Sequence, residues 1–141
     1  MKILLVSDTH NNLEDLEKLA KLYPDYIKIH LGDRGFDKSI LEKYNFYYVD
    51  GNCDLGNKKE LLLNIDNKKI FITHGDIYNV KFGLDKLYYK ALSLDADYVF
   101  YGHTHIEQEI EYQNITFINP GALKDKKYVL ICDNSIMFKR V

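Results

Sequence analysis

The sequence predicts an α/β fold in which two β-sheets pack face to face with helices on the outside. Three observations carry this. The first half alternates apolar, strand-like runs with amphipathic helical segments. The second half is richer in strands, with Asn, Asp and Gly placed where hairpins need turns. Five strands end in short polar clusters, and sites in open α/β sheets form beyond the carboxyl ends of strands.

Lys2 to Ser7 is a short apolar run and reads as a buried strand leading into Asp8-Thr9-His10. Asn12 suits an N-cap. Leu13, Leu16, Leu19 and Ala20 then share one helical face, and Pro24 closes the segment. Tyr26 to Leu31 is a second strand, ending in Gly32-Asp33. Lys38 to Tyr44 reads as a short helix, and Phe46 to Val49 as a third strand ending in Gly51-Asn52-Cys53-Asp54. This order implies parallel strands joined by right-handed crossovers. Glu60 to Ile65 and Lys68 to Thr73 read as paired strands around Asp66-Asn67, the second ending in His74. Leu84, Leu87, Tyr88, Ala91 and Leu92 follow the spacing of an amphipathic helix. The segment between, from Asp76 to Phe82, reads as a polar loop with aromatics. Val99-Phe100-Tyr101 is a buried strand leading into Gly102-His103-Thr104-His105. Glu107 to Tyr112 with Ile115 to Ile118, and Tyr128 to Cys132 with Ile136 to Arg140, complete two hairpins, separated by the turn Asn119-Pro120-Gly121-Ala122.

At 141 residues a single domain spanning 1–141 is expected, large enough for a substantial core. Apolar residues make up 46% and charged residues 28%, the balance of an ordinary globular protein. A net charge of −2 gives no support for general nucleic-acid or membrane-surface binding. No apolar run approaches the roughly 20 residues of a membrane span. Met1-Lys2 leads directly into a strand, which is not the pattern of a signal peptide. Cys53 and Cys132 form no C-x-x-C pair, so free thiols and a cytoplasmic setting are expected. Exposed aromatics allow a homodimer.

The polar clusters supply Asp8, His10, Asp33, Asn52, His74, His103 and His105. In extended backbone, residues two apart point the same way, so His103 and His105 can face one site. Alone, that stretch reads equally well as a surface turn. Together the clusters form a nitrogen and oxygen ligand set without thiolate, suited to Mn, Fe, Ni, Co or Zn. Seven candidates are too many for one tetrahedral ion and suit two ions sharing a carboxylate.

In these blocks the chain resembles the calcineurin-like metallophosphoesterases. The family pattern D-x-H, G-D, G-N, H and G-H-x-H stands here as Asp8-Thr9-His10, Gly32-Asp33, Gly51-Asn52, His74 and Gly102-His103-Thr104-His105. Its short length and Gly51-Asn52-Cys53-Asp54 resemble the small YfcE-type phosphodiesterases, although Ala122 replaces the Ser of that branch's N-P-G-S. The resemblance implies a sandwich of two mixed β-sheets flanked by helices. It implies that Asp8, His10 and His105 hold one divalent ion. Asn52, His74 and His103 would hold a second, with Asp33 bridging, and Mn2+ or Ni2+ are favoured. The implied reaction is in-line attack on the phosphorus of a small-molecule phosphate ester by a metal-held hydroxide. Two ions contribute +4, two aspartates −2 and a hydroxide −1, leaving a local anion site on a slightly acidic protein.

Several residues stay open at this level. Asn52 is a candidate for substrate contact as well as metal binding. Many larger relatives carry His after the G-N pair. Here Cys53 stands there, either a weak proton donor and substrate contact or a small packing residue. Asp54 reads as a leaving-group acid, a hydrogen-bond partner or a turn residue. Arg34 reads as a phosphate contact or a solvated loop arginine. His30 reads as a core or supporting histidine rather than a ligand. Beside the phosphodiesterase stand two alternatives: a phosphomonoesterase, and a non-catalytic scaffold of the same fold, as in the retromer subunit that resembles this family.

Overall fold

A computed structural model describes residues 1–141. Its strands form two mixed five-stranded sheets. The first sheet contains β1 (Lys2–Val6), β2 (Ile27–His30), β3 (Phe46–Tyr48) and the final hairpin, β9 (Lys127–Cys132) and β10 (Ser135–Arg140). Its order is β10-β9-β1-β2-β3, with β1, β2 and β3 parallel. The second sheet, in the order β4-β5-β6-β8-β7, contains β4 (Glu60–Ile65), β5 (Lys68–Thr73), β6 (Tyr98–Phe100), β7 (Gln108–Tyr112) and β8 (Ile115–Asn119).

Side-chain alternation along the strands builds the layers. Ile3, Leu5, Ile29 and Leu31 point inward and meet Ile70, Ile72, Phe100 and Ile118 of the other sheet in one buried cluster. Leu4 and Val6 point outward, against Leu16 and Leu19 of α1 (Leu13–Leu22) and Leu41 of α2 (Ser39–Lys43). On the far face Phe71 and Val99 meet Leu87 and Ala91 of α3 (Asp85–Ser93). The result is a helix–sheet–sheet–helix stack. Truncating a fully buried contact such as Leu16 to Ala costs about 2–5 kcal/mol.

Asn12 caps α1, its side-chain oxygen accepting from the Asp15 N–H, as the sequence leads one to expect. The Asp76 to Phe82 loop is more ordered than its composition suggests. It winds into two 3-10 turns, Asp76–Tyr78 and Val80–Phe82, joined at a left-handed Asn79. Val80 is buried there, while Phe82 is almost fully exposed. No helix is long and apolar enough to cross a membrane.

The parallel strands β1, β2, β5 and β6 deliver their carboxyl ends to one edge of the stack. Each strand is followed at once by a block of polar residues, so the loops converge there.

Candidate metal centre

Two trios of ligating side chains meet at this edge. Asp8, His10 and His105 form one, and Asp33, His74 and His103 the other, with the donor atoms of each trio within 4.8 Å of one another. His10 Nε2 and His105 Nε2 lie 3.3 Å apart. His74 Nε2 and His103 Nδ1 are also 3.3 Å apart.

Each aspartate divides its two oxygens between fold and site. Asp8 Oδ2 accepts from the Ser7 hydroxyl and from the His103 N–H, the latter at 3.2 Å. That leaves Asp8 Oδ1 facing His105 at 3.1 Å, His10 at 3.5 Å and His74 at 3.8 Å. Asp33 Oδ1 accepts from the Cys53 N–H at 2.8 Å. Its Oδ2 faces His74 at 3.2 Å and His10 at 3.9 Å, so one oxygen of Asp33 addresses both trios.

The backbone is bent to achieve this. Asp8, His10, Asp33, His103 and His105 all have positive φ, between 42° and 71°. Left-handed conformations are uncommon for residues with a Cβ, though Asp and His tolerate them better than most. They typically cost about 1–3 kcal/mol each and cluster at functional sites. The glycines of the blocks make room. A Cβ on Gly51 would lie 2.1 Å from Asp33 Oδ1, and one on Gly102 would lie 2.1 Å from Ser7 Oγ.

The donor set fits divalent cations. His74 donates its Nδ1–H to the Leu31 carbonyl at 2.8 Å, which leaves Nε2 to present a lone pair to the site. Four imidazoles and two carboxylates thus turn mostly acceptors toward one another, an arrangement that a cation relieves. The protonation preferences of these groups follow from the same field. Burial opposes ionisation of Asp33, but the hydrogen bond and charge of His74 outweigh it and hold the carboxyl far below its usual range. Burial likewise opposes protonation of His74, yet the hydrogen bond to Asp33 and the charge of Asp8 push its pKa up. His103 shifts down, through burial and then the neighbouring charge of His74, which favours the neutral form a metal requires.

The remaining candidates are placed differently. Asn52 is exposed, and its amide nitrogen donates toward Cys53 Sγ at 3.6 Å. Cys53 is also exposed, with its thiol near His10 and Asp33. Partial burial and the charge of Asp33 push its pKa up, which makes it a poorer acid than a free thiol. Asp54 turns into the loop: Oδ2 accepts from the Asp33 N–H at 2.7 Å and the Gly51 N–H at 2.8 Å, and Oδ1 from the Arg34 N–H at 3.1 Å. These bonds suit the carboxylate form, so of its three sequence readings the hydrogen-bond partner is the one the geometry displays. Arg34 is neither solvated nor aimed at the site. It is buried, with Nη1 on Asp50 Oδ1 at 2.7 Å and Nε on the Phe36 carbonyl at 3.1 Å.

One supporting residue gave little signal in the sequence. Asn119 is fully buried, donating to the Gly102 carbonyl at 3.1 Å and the Thr104 hydroxyl at 2.9 Å. It fixes the loop that carries His103 and His105. The Asn119-Pro120-Gly121-Ala122 turn was its only trace. His30 is a core histidine, as read: Nδ1 accepts from the Gly32 N–H at 3.0 Å and Nε2 meets the Thr9 hydroxyl at 3.2 Å.

A family model described as calcineurin-like phosphoesterase superfamily domain matches residues 1–132. The probable metallophosphoesterase YsnB of Bacillus subtilis (strain 168) is 34% identical over 128 residues, covering 88% of this chain and 76% of that protein. Phosphodiesterase MJ0936 of Methanocaldococcus jannaschii is 30% identical over 146 aligned positions, covering 86% of this chain and 83% of that one. A predicted phosphoesterase from Streptococcus pneumoniae TIGR4, known from a crystal structure, superposes with a TM-score of 0.87 at 26% identity, over 99% of this chain and 88% of that one. Matched over nearly its whole length, and with every block of the family pattern in order along the strand ends, this chain belongs to the calcineurin-like phosphoesterase superfamily.

Proposed function

We propose that this chain, a single domain, is a cytoplasmic phosphodiesterase that uses two divalent ions to hydrolyse small-molecule phosphate esters. Asp8, His10 and His105 would hold one ion. Asn52, His74 and His103 would hold the second, with Asp33 shared. Mn2+ or Ni2+ suits this donor set best, and Fe, Co and Zn are compatible with it. The observation that supports the reading is the convergence of two carboxylate–imidazole trios around one oxygen of Asp33. For Asn52, the amide oxygen would be the donor to the second ion, with substrate contact as its further role.

When bound, two such ions lower the pKa of a water, neutralise phosphate charge and clamp the attacking and leaving oxygens. The chain's own contribution is placement. Leu31 fixes the ring of His74, Ser7 and the His103 N–H fix Asp8, and the Cys53 N–H fixes Asp33. In the metal-free protein burial and the charge of Asp33 raise the Cys53 pKa, and Asp54 is bonded as an acceptor, so neither is prepared there as a strong proton donor. Esters with good leaving groups are therefore favoured. That one relative is named a phosphodiesterase, MJ0936, supports the diester reading over the monoester one.

The test is metal analysis followed by hydrolysis of bis(p-nitrophenyl) phosphate and p-nitrophenyl phosphate. Chelation should abolish turnover, and Mn2+ or Ni2+ should restore it better than Ca2+, with the diester preferred. Full activity without metal would overturn the reading. Faster monoester turnover would make the protein a phosphomonoesterase. Two bound ions with no turnover of either ester would make it a scaffold.

A further inference from the structure

A cleft of about 790 Å3 opens beside Asp33. Phe36, Lys38, Tyr48, Cys53, Leu55 and Lys58 are among the residues lining it. Its size lies within the range of small-molecule sites. Cys53 joins it to the metal centre, because its Sγ lies within 4.8 Å of donor atoms of His10 and Asp33. A phosphate held at the trios would therefore have one ester substituent beside this opening.

The cleft lining carries as many cations as carboxylates, Arg34, Lys38 and Lys58 against Asp37, Asp50 and Asp54, but its lysines are not paired with them. Asp50 is occupied by Arg34 Nη1 at 2.7 Å and by the Lys58 N–H at 2.9 Å. Asp54 is occupied by three backbone N–H groups. Asp37 accepts from the Ser39 N–H at 2.8 Å. Lys38 and Lys58 are both exposed, and neither takes part in an ion pair. Lys58 is held in place. Its carbonyl accepts from the Asp50 N–H at 2.7 Å, and its Nζ sits 4.5 Å from the centroid of the Tyr48 ring. An ammonium resting on an aromatic face is oriented without being neutralised. Phe36, half-buried, and Leu55, fully exposed, supply apolar wall to the same cleft.

We propose that this cleft receives the ester substituent that stays with the phosphate, and that Lys38 and Lys58 select a substituent carrying a second negative charge. The preferred substrate is then an organic phosphodiester with a further anionic group, its organic part lying against Phe36 and Leu55. The placement of the scissile phosphate rests on the phosphodiesterase reading. The preference for a second anion rests on the cleft.

The test compares p-nitrophenyl phenyl phosphate with the same diester bearing a para-carboxylate on the phenyl ring. Both release p-nitrophenolate, so the chemical step is matched. Metal-loaded protein should turn over the carboxylated diester with a kcat/KM about fivefold higher, chiefly through KM. The ratio should fall toward one in 0.5 M NaCl and in the Lys38→Gln/Lys58→Gln double variant. A para-phosphonate in place of the carboxylate shows which anion fits better. Equal kcat/KM for the charged and uncharged diesters would overturn the proposal, as would a preference that survives the double substitution. Calorimetric binding of phenylphosphonate and 4-carboxyphenylphosphonate separates the two readings. If neither diester turns over but the carboxylated phosphonate binds about fivefold tighter through the lysines, the phosphodiesterase reading fails and the cleft stands. If both phosphonates bind equally, the cleft assignment fails whatever the turnover.

Discussion

The two halves of the candidate metal centre are built from the same residue types but held differently. In the trio of Asp8, His10 and His105, the histidine side chains are 30% and 32% exposed, and the structure shows no protein acceptor for either ring outside the cluster. In the trio of Asp33, His74 and His103, the side chain of His74 is 0% exposed and its ring is tied to the Leu31 carbonyl. Asp33 is tied to the Cys53 N–H, and its loop is tied through Asp54. The asymmetry lies in the rings: His74 is buried and preset, whereas His10 and His105 are part-exposed and untied. Asp8 and Asp33 are both buried and hydrogen-bonded, and His103 is half-buried. Ligands fixed before the ion arrives lose less freedom when it binds. The second trio should therefore fill first and hold tighter.

The largest effect expected from this asymmetry is in paired alanine variants. His74→Ala removes the preset ligand and should leave no tightly held ion, with diester hydrolysis down on the order of 10³-fold. His105→Ala should keep one ion per chain after gel filtration, although turnover also falls. Equal metal loss in the two variants would break the comparison.

A smaller effect is expected one layer out. Asp54 accepts from three backbone N–H groups across the two loops that carry Asp33 and Asn52, and Arg34 Nη1 stands 3.5 Å away. Asp54→Asn turns one acceptor into a donor that faces N–H groups. It should weaken binding at the second trio by about 10–100-fold, the usual range for a lost supporting bond, and leave the first trio nearly unchanged. Stepwise metal titration reads the two constants separately. Were Asp54 instead the leaving-group acid, metal binding would be unchanged and alkyl diesters would slow far more than aryl ones.

Much of this was legible in the sequence, for a definite reason. Motif residues at strand ends need only the strand order to be brought together. The turn Asp66-Asn67 set the bounds of β4 and β5 by itself. Illegible were the partners that the chain brings from afar. Arg34 and Asp50 are 16 residues apart on different loops, and nothing local marks them as a buried pair. The role of Asn119 depends on β6 and β8 lying side by side. The one-oxygen-each division of Asp8 and Asp33 is a matter of rotamers, which spacing does not encode.

Acidity probes the asymmetry more gently. In the metal-free protein the carboxylates around His74 raise its pKa, so a proton competes for the nitrogen an ion needs. Binding at the second trio should release that proton. Its apparent affinity should fall about tenfold per pH unit below the raised pKa. The slope should disappear from the remaining site in His74→Ala. A second site whose affinity is flat between pH 7.5 and 5.5 would mean that no proton is displaced.

The last and smallest effect concerns His30, which lies behind the half that contains His74 and has no route to an ion. Its ring is fully buried and its Nδ1 accepts from the Gly32 N–H, so the neutral form is the one the fold uses. Burial, then the nearby charge of Arg34, lower its pKa from 6.5 to about 3. Below pH 6.5 the unfolded chain binds a proton at this ring and the folded chain does not. The stability this contributes is complete above pH 6.5 and is lost progressively as the pH falls toward 3. Between pH 6 and pH 5 the loss is about 1 kcal/mol, or roughly 3–5 °C in Tm for a chain of this size. His74 adds little in that window, because its ring is protonated in both states. Half-buried His103, whose pKa is also lowered, adds a smaller slope of the same sign. His30→Gln keeps a donor and an acceptor without the titration. It should start from a lower Tm and lose less of it between pH 6 and pH 5 in the metal-free protein. An unchanged slope in the variant would show that the buried ring takes up its proton in place, and that the floor of the centre is more yielding than its hydrogen bonds imply.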